Sequence, residues 1–172
     1  MLIIFGGLPG SGKTTTARAL AARMEGVYVR VDTIEQAIRR SDVLKGEVGP
    51  AGYVVAYSVA EDNLSLGRTV VADSVNSIQI TRDAWLDVAR RCNVPAVEIE
   101  VICSDKAEHR RRAETRPTDI EGLVKPTWQE TVAREYDDWG GRAIVVDTAA
   151  RGVDEIVAEL VVQLRRYELR DM

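Results

Sequence analysis

Residues 7–14 read Gly-Leu-Pro-Gly-Ser-Gly-Lys-Thr and follow directly on the apolar run 2–5. Each part of that spacing has work to do on a row of phosphates. Gly7, Gly10 and Gly12, spaced by Leu8, Pro9 and Ser11, let backbone N–H groups turn inward as an anion cradle. Lys13 can reach β- and γ-phosphates, and the Thr14 hydroxyl can ligate Mg²⁺. The helix-forming stretch through Thr14 and Thr15 aims its positive end at the same point. A nucleoside triphosphate site is expected over 7–15, with ATP and Mg²⁺ as cofactors and Lys13 catalytic.

Other residues could do chemistry beside it. The run 27–31 leads to Asp32, which could accept a proton from an attacking hydroxyl. It could equally cap a helix, because Asp32-Thr33-Ile34-Glu35 fits the capping box. Asp73 ends the next run, where a magnesium-associated carboxylate or an acceptor contact is expected. Asn76 and Arg82 follow it, as substrate contacts or as a cap and a solvated charge. The stretch 108–116 holds Arg110, Arg111, Arg112 and Arg116. Arg112 and Arg116 are four apart and share a helical face, placed to stabilise a moving phosphoryl group. After the last run, Thr148 in a small-residue loop could line an adenine pocket, with Asp147 a candidate cap. His109 has no evident partner and reads as a surface residue. Trp128 and Trp139 read as packing anchors.

These residues need elements to hold them. Five β-rich runs, at 2–5, 27–31, 69–72, 96–102 and 143–146, alternate with helical stretches near 13–24, 33–40, 51–66, 79–92, 105–116, 127–137 and 153–167. Such alternation implies a parallel sheet covered on both faces. Val153, Ile156, Val157, Leu160, Val161 and Leu164 form one apolar stripe on the last helix. Ligands in open α/β sheets sit beyond the carboxyl ends of the strands, where the candidate residues fall. The segments 41–50 and 116–126 are irregular and suit loops near a substrate.

At 172 residues one domain is expected. A net charge of −4 argues against a broad nucleic-acid footprint while leaving room for a small anion held by a few arginines. Cys92 and Cys103 lack metal or redox-pair spacing and read as buried thiols. No stretch is long enough to span a membrane, and the first run enters the loop with no room for a cleavable leader, so the expected compartment is the cytoplasm.

Together the GLPGSGKTT loop, Asp32, the VVADSVN segment with Arg82, and the Arg112/Arg116 pair resemble the phosphate-loop small-molecule kinases. More narrowly they resemble the predicted kinases grouped as AAA family ATPases or zeta-toxin-like proteins. That superfamily includes polynucleotide 5′-kinase domains, chloramphenicol phosphotransferase, gluconate kinase and adenylylsulfate kinase. The resemblance implies a three-layer P-loop NTPase fold with five parallel strands in the order 2-3-1-4-5 and a helical lid at about 105–125. It implies phosphate and Mg²⁺ binding by Gly10, Gly12, Lys13 and Thr14, Asp32 as general base, and Arg112 and Arg116 as lid arginines. Many relatives carry an arginine shortly after the strand-two aspartate to hold a phosphorylated acceptor. Here Thr33-Ile34-Glu35 follows, so such an acceptor is disfavoured unless Arg30 compensates. No sensor arginine or oligomerisation region supports a mechanical motor. Expected is an ATP-dependent transfer to a hydroxyl of a small molecule, its pocket built from 41–61 and 118–125. The competing readings are a polynucleotide 5′-kinase and a nucleotide-binding regulator or weak NTPase without an acceptor. The oligomeric state leaves no signal in the sequence.

Overall fold

The chain builds its sheet from the middle outward. β1 (Leu2–Gly6) is buried at every position and lies between β3 (Val70–Asp73) and β4 (Ala96–Ile102). β2 (Val27–Arg30) adds beside β3, and β5 (Ile144–Asp147) beside β4. All pairings are parallel and the strand order is 2-3-1-4-5, as the resemblance implied. The structure, a computed structural model, describes residues 1–43 and 46–168.

Among the described residues seven helices connect and cover the strands: α1 (Lys13–Arg23), α2 (Val31–Arg40), α3 (Ala51–Ser65), α4 (Gln79–Arg91), α5 (Lys106–Thr115), α6 (Trp128–Val132) and α7 (Val153–Glu168). Side chains of a strand alternate between faces, so the sheet has two cores. Ile3, Phe5, Val71, Ile99 and Val101 pack with Leu20 of α1 and with Ile156, Val157, Leu160 and Leu164 of α7. Leu2, Ile4, Val70 and Ala72 pack on the other face with Ala56 and Ala60 of α3 and Trp85 and Val88 of α4. The stripe expected on the last helix is thus core, with Val153 and Val161 partly buried at its edge. Cys103 is buried and Cys92 only partly so, both as free thiols. Among the described residues no helix is long and apolar enough to cross a membrane.

Two boundaries differ from expectation. β2 stops at Arg30, and Val31 and Asp32 already belong to α2, whose N-cap is Arg30 with no side-chain cap bond. Asp32 is therefore not a capping residue. As a first-turn carboxylate it instead meets the helix's positive end. The stretch 127–137 is helical only over α6, where Thr127 and Glu130 form a reciprocal capping box. Beyond it the chain drops under α4 and becomes a structural strap. Leu44 and Lys45, within the expected acceptor segment 41–61, lie outside the described residues.

Candidate functional site

All of the expected phosphate machinery lies at the carboxyl end of β1. The chain leaves Gly6, turns through the glycine loop and enters α1 at Lys13. Gly12 is the N-cap in a left-handed conformation, φ 95°. Gly10, at φ 87°, has α5 pressed against it: a Cβ there would stand 2.9 Å from the Cβ of Ala113. A side chain at either position would strain the backbone, and at Gly10 it would also push α5 away. Thr148, at the end of β5, donates its hydroxyl to the Ser11 carbonyl at 2.7 Å. His109 of α5 contacts the Pro9 carbonyl through Nε2 at 2.9 Å and meets the Trp128 ring edge-on at 5.1 Å. His109 is therefore no lone surface residue; it ties α5 and α6 to the loop. No sequence signal marks that contact, because its partner is a backbone oxygen a hundred positions away.

Lys13 and Asp73 meet at the centre. The Lys13 ammonium is ion-paired with Asp73 Oδ1 and also donates to Thr14 Oγ1 at 3.3 Å. Asp73 is fully buried, and the Tyr28 hydroxyl donates to its second oxygen at 2.5 Å. Burial pushes the Asp73 carboxyl up, but the Lys13 charge and the hydrogen bonds from Lys13, Tyr28 and Thr14 outweigh it and hold the group below the usual carboxylate range. Burial first, and then the Asp73 charge, raise the Tyr28 hydroxyl far enough that it stays a donor. One ammonium therefore rests against both the Thr14 hydroxyl and the Asp73 carboxylate. Two hard oxygen donors converging on one cation is the donor chemistry that Mg²⁺ requires, so Thr14 and Asp73 fit it.

Arg30 pairs with Asp73 across the β2–β3 ladder, and its guanidinium stands among three carboxylates. NH1 donates to Asp119 at 2.9 and 3.1 Å, NH2 lies 3.7 Å from Asp32, and Nε lies 4.0 Å from Asp73. Arg30 is thus engaged by these acids. Arg18 of α1 also binds Asp119, and the two arginines hold that carboxyl down to about 2.

Above the loop opens a cleft of about 810 Å³, lined by six cationic and three acidic side chains. Lys13, Asp32, Arg112 and Arg116 all line it, with Gly7, Leu8, Pro9, Gly10, Gly12, Thr14 and Thr15 at its floor. A positive cleft on a chain of net charge −4 is suited to a polyanion. Arg112 is held by Glu108 at 2.8 Å and by the Thr148 hydroxyl and carbonyl at 2.8 and 3.2 Å. Arg116 is half-buried, its side chain has no hydrogen-bond partner among the described residues, and burial lowers its pKa against the opposing pull of Asp32. Glu35 and Tyr53 line the far end with Leu123, Val124 and Lys125. Burial and the nearby Asp32 charge raise the Glu35 carboxyl.

Five expected site residues lie outside the cleft lining: Asp73, buried beneath Lys13, and Ser11, Asn76, Arg82 and Thr148. Asn76 is fully buried in a left-handed turn, φ 46°, and donates to the Phe5 carbonyl at 2.7 Å. Arg82 is 1% exposed and donates to the carbonyls of Asn76 at 3.1 Å and Asp138 at 2.9 Å, with its guanidinium over the Trp139 ring at 4.6 Å. Both are corrected from substrate contacts to structural ties, because Asn76 Nδ2 and the terminal nitrogens of Arg82 donate to backbone oxygens beneath the site. Ser11 and Thr148 are buried behind the loop and shape it from outside. Trp139 is the packing anchor expected of it, closing over Gly6. Trp128 is only half-buried and serves His109. Asp147 accepts from the amides of Ser104 and Ala149, both at 3.0 Å, tying two loops rather than capping α7.

Known proteins share this fold. Residues 2–137 match a family model described as an AAA domain. The large subunit of replication factor C from Methanothrix thermoacetophila is 30% identical over 102 residues, 56% of this chain. The chain spans 20% of the length of that curated relative. Among solved structures, the APS kinase of Mycobacterium tuberculosis, in complex with AMPPNP and APS, superposes with a TM-score of 0.69 at 16% identity, covering 95% of this chain and 96% of that one. Kti12 of Chaetomium thermophilum, in complex with ADP-AlF3, gives 0.68 at 20% identity, with 94% and 98% covered. A gluconokinase from Sinorhizobium meliloti 1021 gives 0.64 at 20% identity, with 95% and 91% covered. At these identities the likeness establishes a common P-loop fold.

Proposed function

Because the chain belongs to the AAA-domain family, whose model spans residues 2–137, we propose that it is an ATP-dependent kinase that phosphorylates a hydroxyl of a small molecule. One observation carries this reading: Lys13, Asp32, Arg112 and Arg116, drawn from three separate elements, line a single cleft over the glycine loop. A site that only bound nucleotide would need Lys13 and the loop. A carboxylate and two arginines on the same cavity are what in-line phosphoryl transfer adds.

In this reading the loop amides and Lys13 hold the β- and γ-phosphates. Lys13 exchanges Asp73 for phosphate, leaving the Thr14 hydroxyl and the Asp73 carboxylate to Mg²⁺. Mg²⁺ held there would neutralise charge on the phosphate oxygens. Asp32, exposed at 44% of its side chain, accepts the proton of the acceptor hydroxyl as that oxygen attacks the γ-phosphorus, whose bond to the β–γ bridging oxygen breaks to release ADP. Arg112 and Arg116, presented by α5 and its C-terminal cap, meet the charge on the moving group. The segment 105–125 is the lid that excludes water, and the acceptor lies against Glu35, Tyr53, Leu123 and Val124. The gluconokinase and APS kinase among the structural neighbours support a kinase on this fold; their acceptors are not transferred to this chain.

The test is a metabolite library incubated with protein and MgATP and read by mass for phosphoryl gain, with Asp32→Asn as control. Transfer that survives in that variant removes Asp32 as base. Absence of ADP binding by the native protein removes the whole proposal.

A further inference from the structure

From Arg116 to Thr127 the chain has neither helix nor strand, yet Arg116 must be held over the cleft. Several of the bonds in this segment are local. Thr118 and Ile120 bond each other, and Lys125 Nζ donates to the Arg116 carbonyl at 2.7 Å. Among the described residues three ion pairs from this segment reach across the molecule. The Arg40–Glu121 pair is 3.8 Å long and exposed on both sides. Asp119 instead takes the Arg18 guanidinium of α1 and Arg30 NH1 of β2, the latter with both carboxylate oxygens. Arg30 is itself only 9% exposed along its side chain, so it is a fixed post.

Arg116 stands three positions before Asp119, within the field of Asp32, Arg30, Asp119 and Asp73. Arg30 and Arg116 therefore share one field, and Asp119, which also holds Arg18, is the carboxylate that the lid segment brings to it. Removing that carboxylate leaves Arg30 and Arg116 repelling one another, opposed by Asp32 and Asp73. We propose that Asp119 is a positioning residue that sets Arg116 over the γ-phosphate, by anchoring the lid segment to Arg18 and Arg30. This rests on the kinase reading of Arg116 above.

The experiment compares dissociation constants for ADP and for the non-hydrolysable ATP analogue AMPPNP, both with Mg²⁺, by titration calorimetry. The AMPPNP-to-ADP preference isolates the γ-phosphate. Arg116→Gln should reduce that preference about tenfold, since a charge-assisted contact to phosphate is lost. Asp119→Asn should reduce it about threefold in the native background and not at all on top of Arg116→Gln, the non-additivity of residues acting through one contact. Asp119→Glu, which still reaches both arginines, should restore it. A role in stability alone would weaken both ligands alike.

An equal loss in both backgrounds, or no loss in either, overturns the proposal. If Arg116→Gln itself leaves the preference unchanged, the assignment of Arg116 fails and the proposal falls with it. If the native protein binds neither ligand, the failure lies in the nucleotide reading, and the proposal falls for that separate reason.

Discussion

Replacing Lys13 with methionine keeps most of the apolar stem and removes the ammonium from a fully buried carboxylate. Breaking a buried ion pair from one side typically costs about 3–5 kcal/mol. Here the Tyr28 hydroxyl stays on Asp73 Oδ2 and Arg30 Nε stays 4.0 Å away, so the lower end applies, about 3 kcal/mol. For a chain of this size that corresponds to a fall in Tm of about 6–12 °C. The pH dependence supplies the sharper test. In the native protein Asp73 is held below its ordinary value. It therefore contributes stability that is present above the unfolded pKa of about 3.9 and is lost as pH falls through the folded value. In Lys13→Met burial dominates and lifts the folded value above the unfolded one. The same carboxylate then costs stability as pH rises. The gap between the two proteins should thus be smallest at the acid end, below the native folded value, be partly open by about pH 4, and widen further toward about pH 7. Thermal melts across that range, without nucleotide or magnesium, read it directly. The double variant Lys13→Met/Asp73→Asn should recover most of the loss at neutral pH, because no buried charge remains. A gap independent of pH, or a double variant no better than the single, would refute the claim that Asp73 is the group left stranded.

The other expectations follow from the same geometry. Asp32→Asn should bind ADP within about twofold of the native protein by calorimetry, while its transfer rate, once an acceptor is in hand, falls by about 10²–10⁴. Gly10→Ala combines φ 87° with a Cβ 2.9 Å from Ala113; it should cost at least about 1 kcal/mol in urea unfolding and abolish measurable ADP affinity. Arg82→Met removes donors from the carbonyls of Asn76 and Asp138 and the cation from Trp139. It should lower stability by about 2–4 kcal/mol while ADP affinity in the folded protein stays within about twofold. A selective loss of ligand affinity in a stable Arg82→Met protein would return that residue to the binding site.

What could be read from the sequence is what is encoded within a few residues. The glycine loop carries its chemistry in eight consecutive positions, and strand-to-helix alternation carries the parallel sheet. Asp73 is visible because it stands where a β-run stops. The partners that give these residues their properties are not local. Asp73 meets Lys13 across 60 positions and Tyr28 across 45, and Asp119 meets Arg30 across 89. A carboxylate between Thr118 and Ile120 in an irregular segment looks like any solvated loop residue until β2 and α1 are folded against it. Arg82 shows the opposite failure. A charged side chain on a helix beside the site reads as a ligand contact, but it lies beneath the loop because α4 runs back along the sheet and the 137–139 strap closes over it. Tyr28 and Arg30 did leave a trace, since positions two apart on a strand share a face and Arg30 is in register with Asp73. An aromatic hydroxyl and a guanidinium alternating up to the end of a strand, beside a strand ending in aspartate, suggest a rule for P-loop sheets. Polar residues that end an edge strand deserve to be read against the acid that ends its neighbour, because the parallel register brings them to the same phosphate-facing rim.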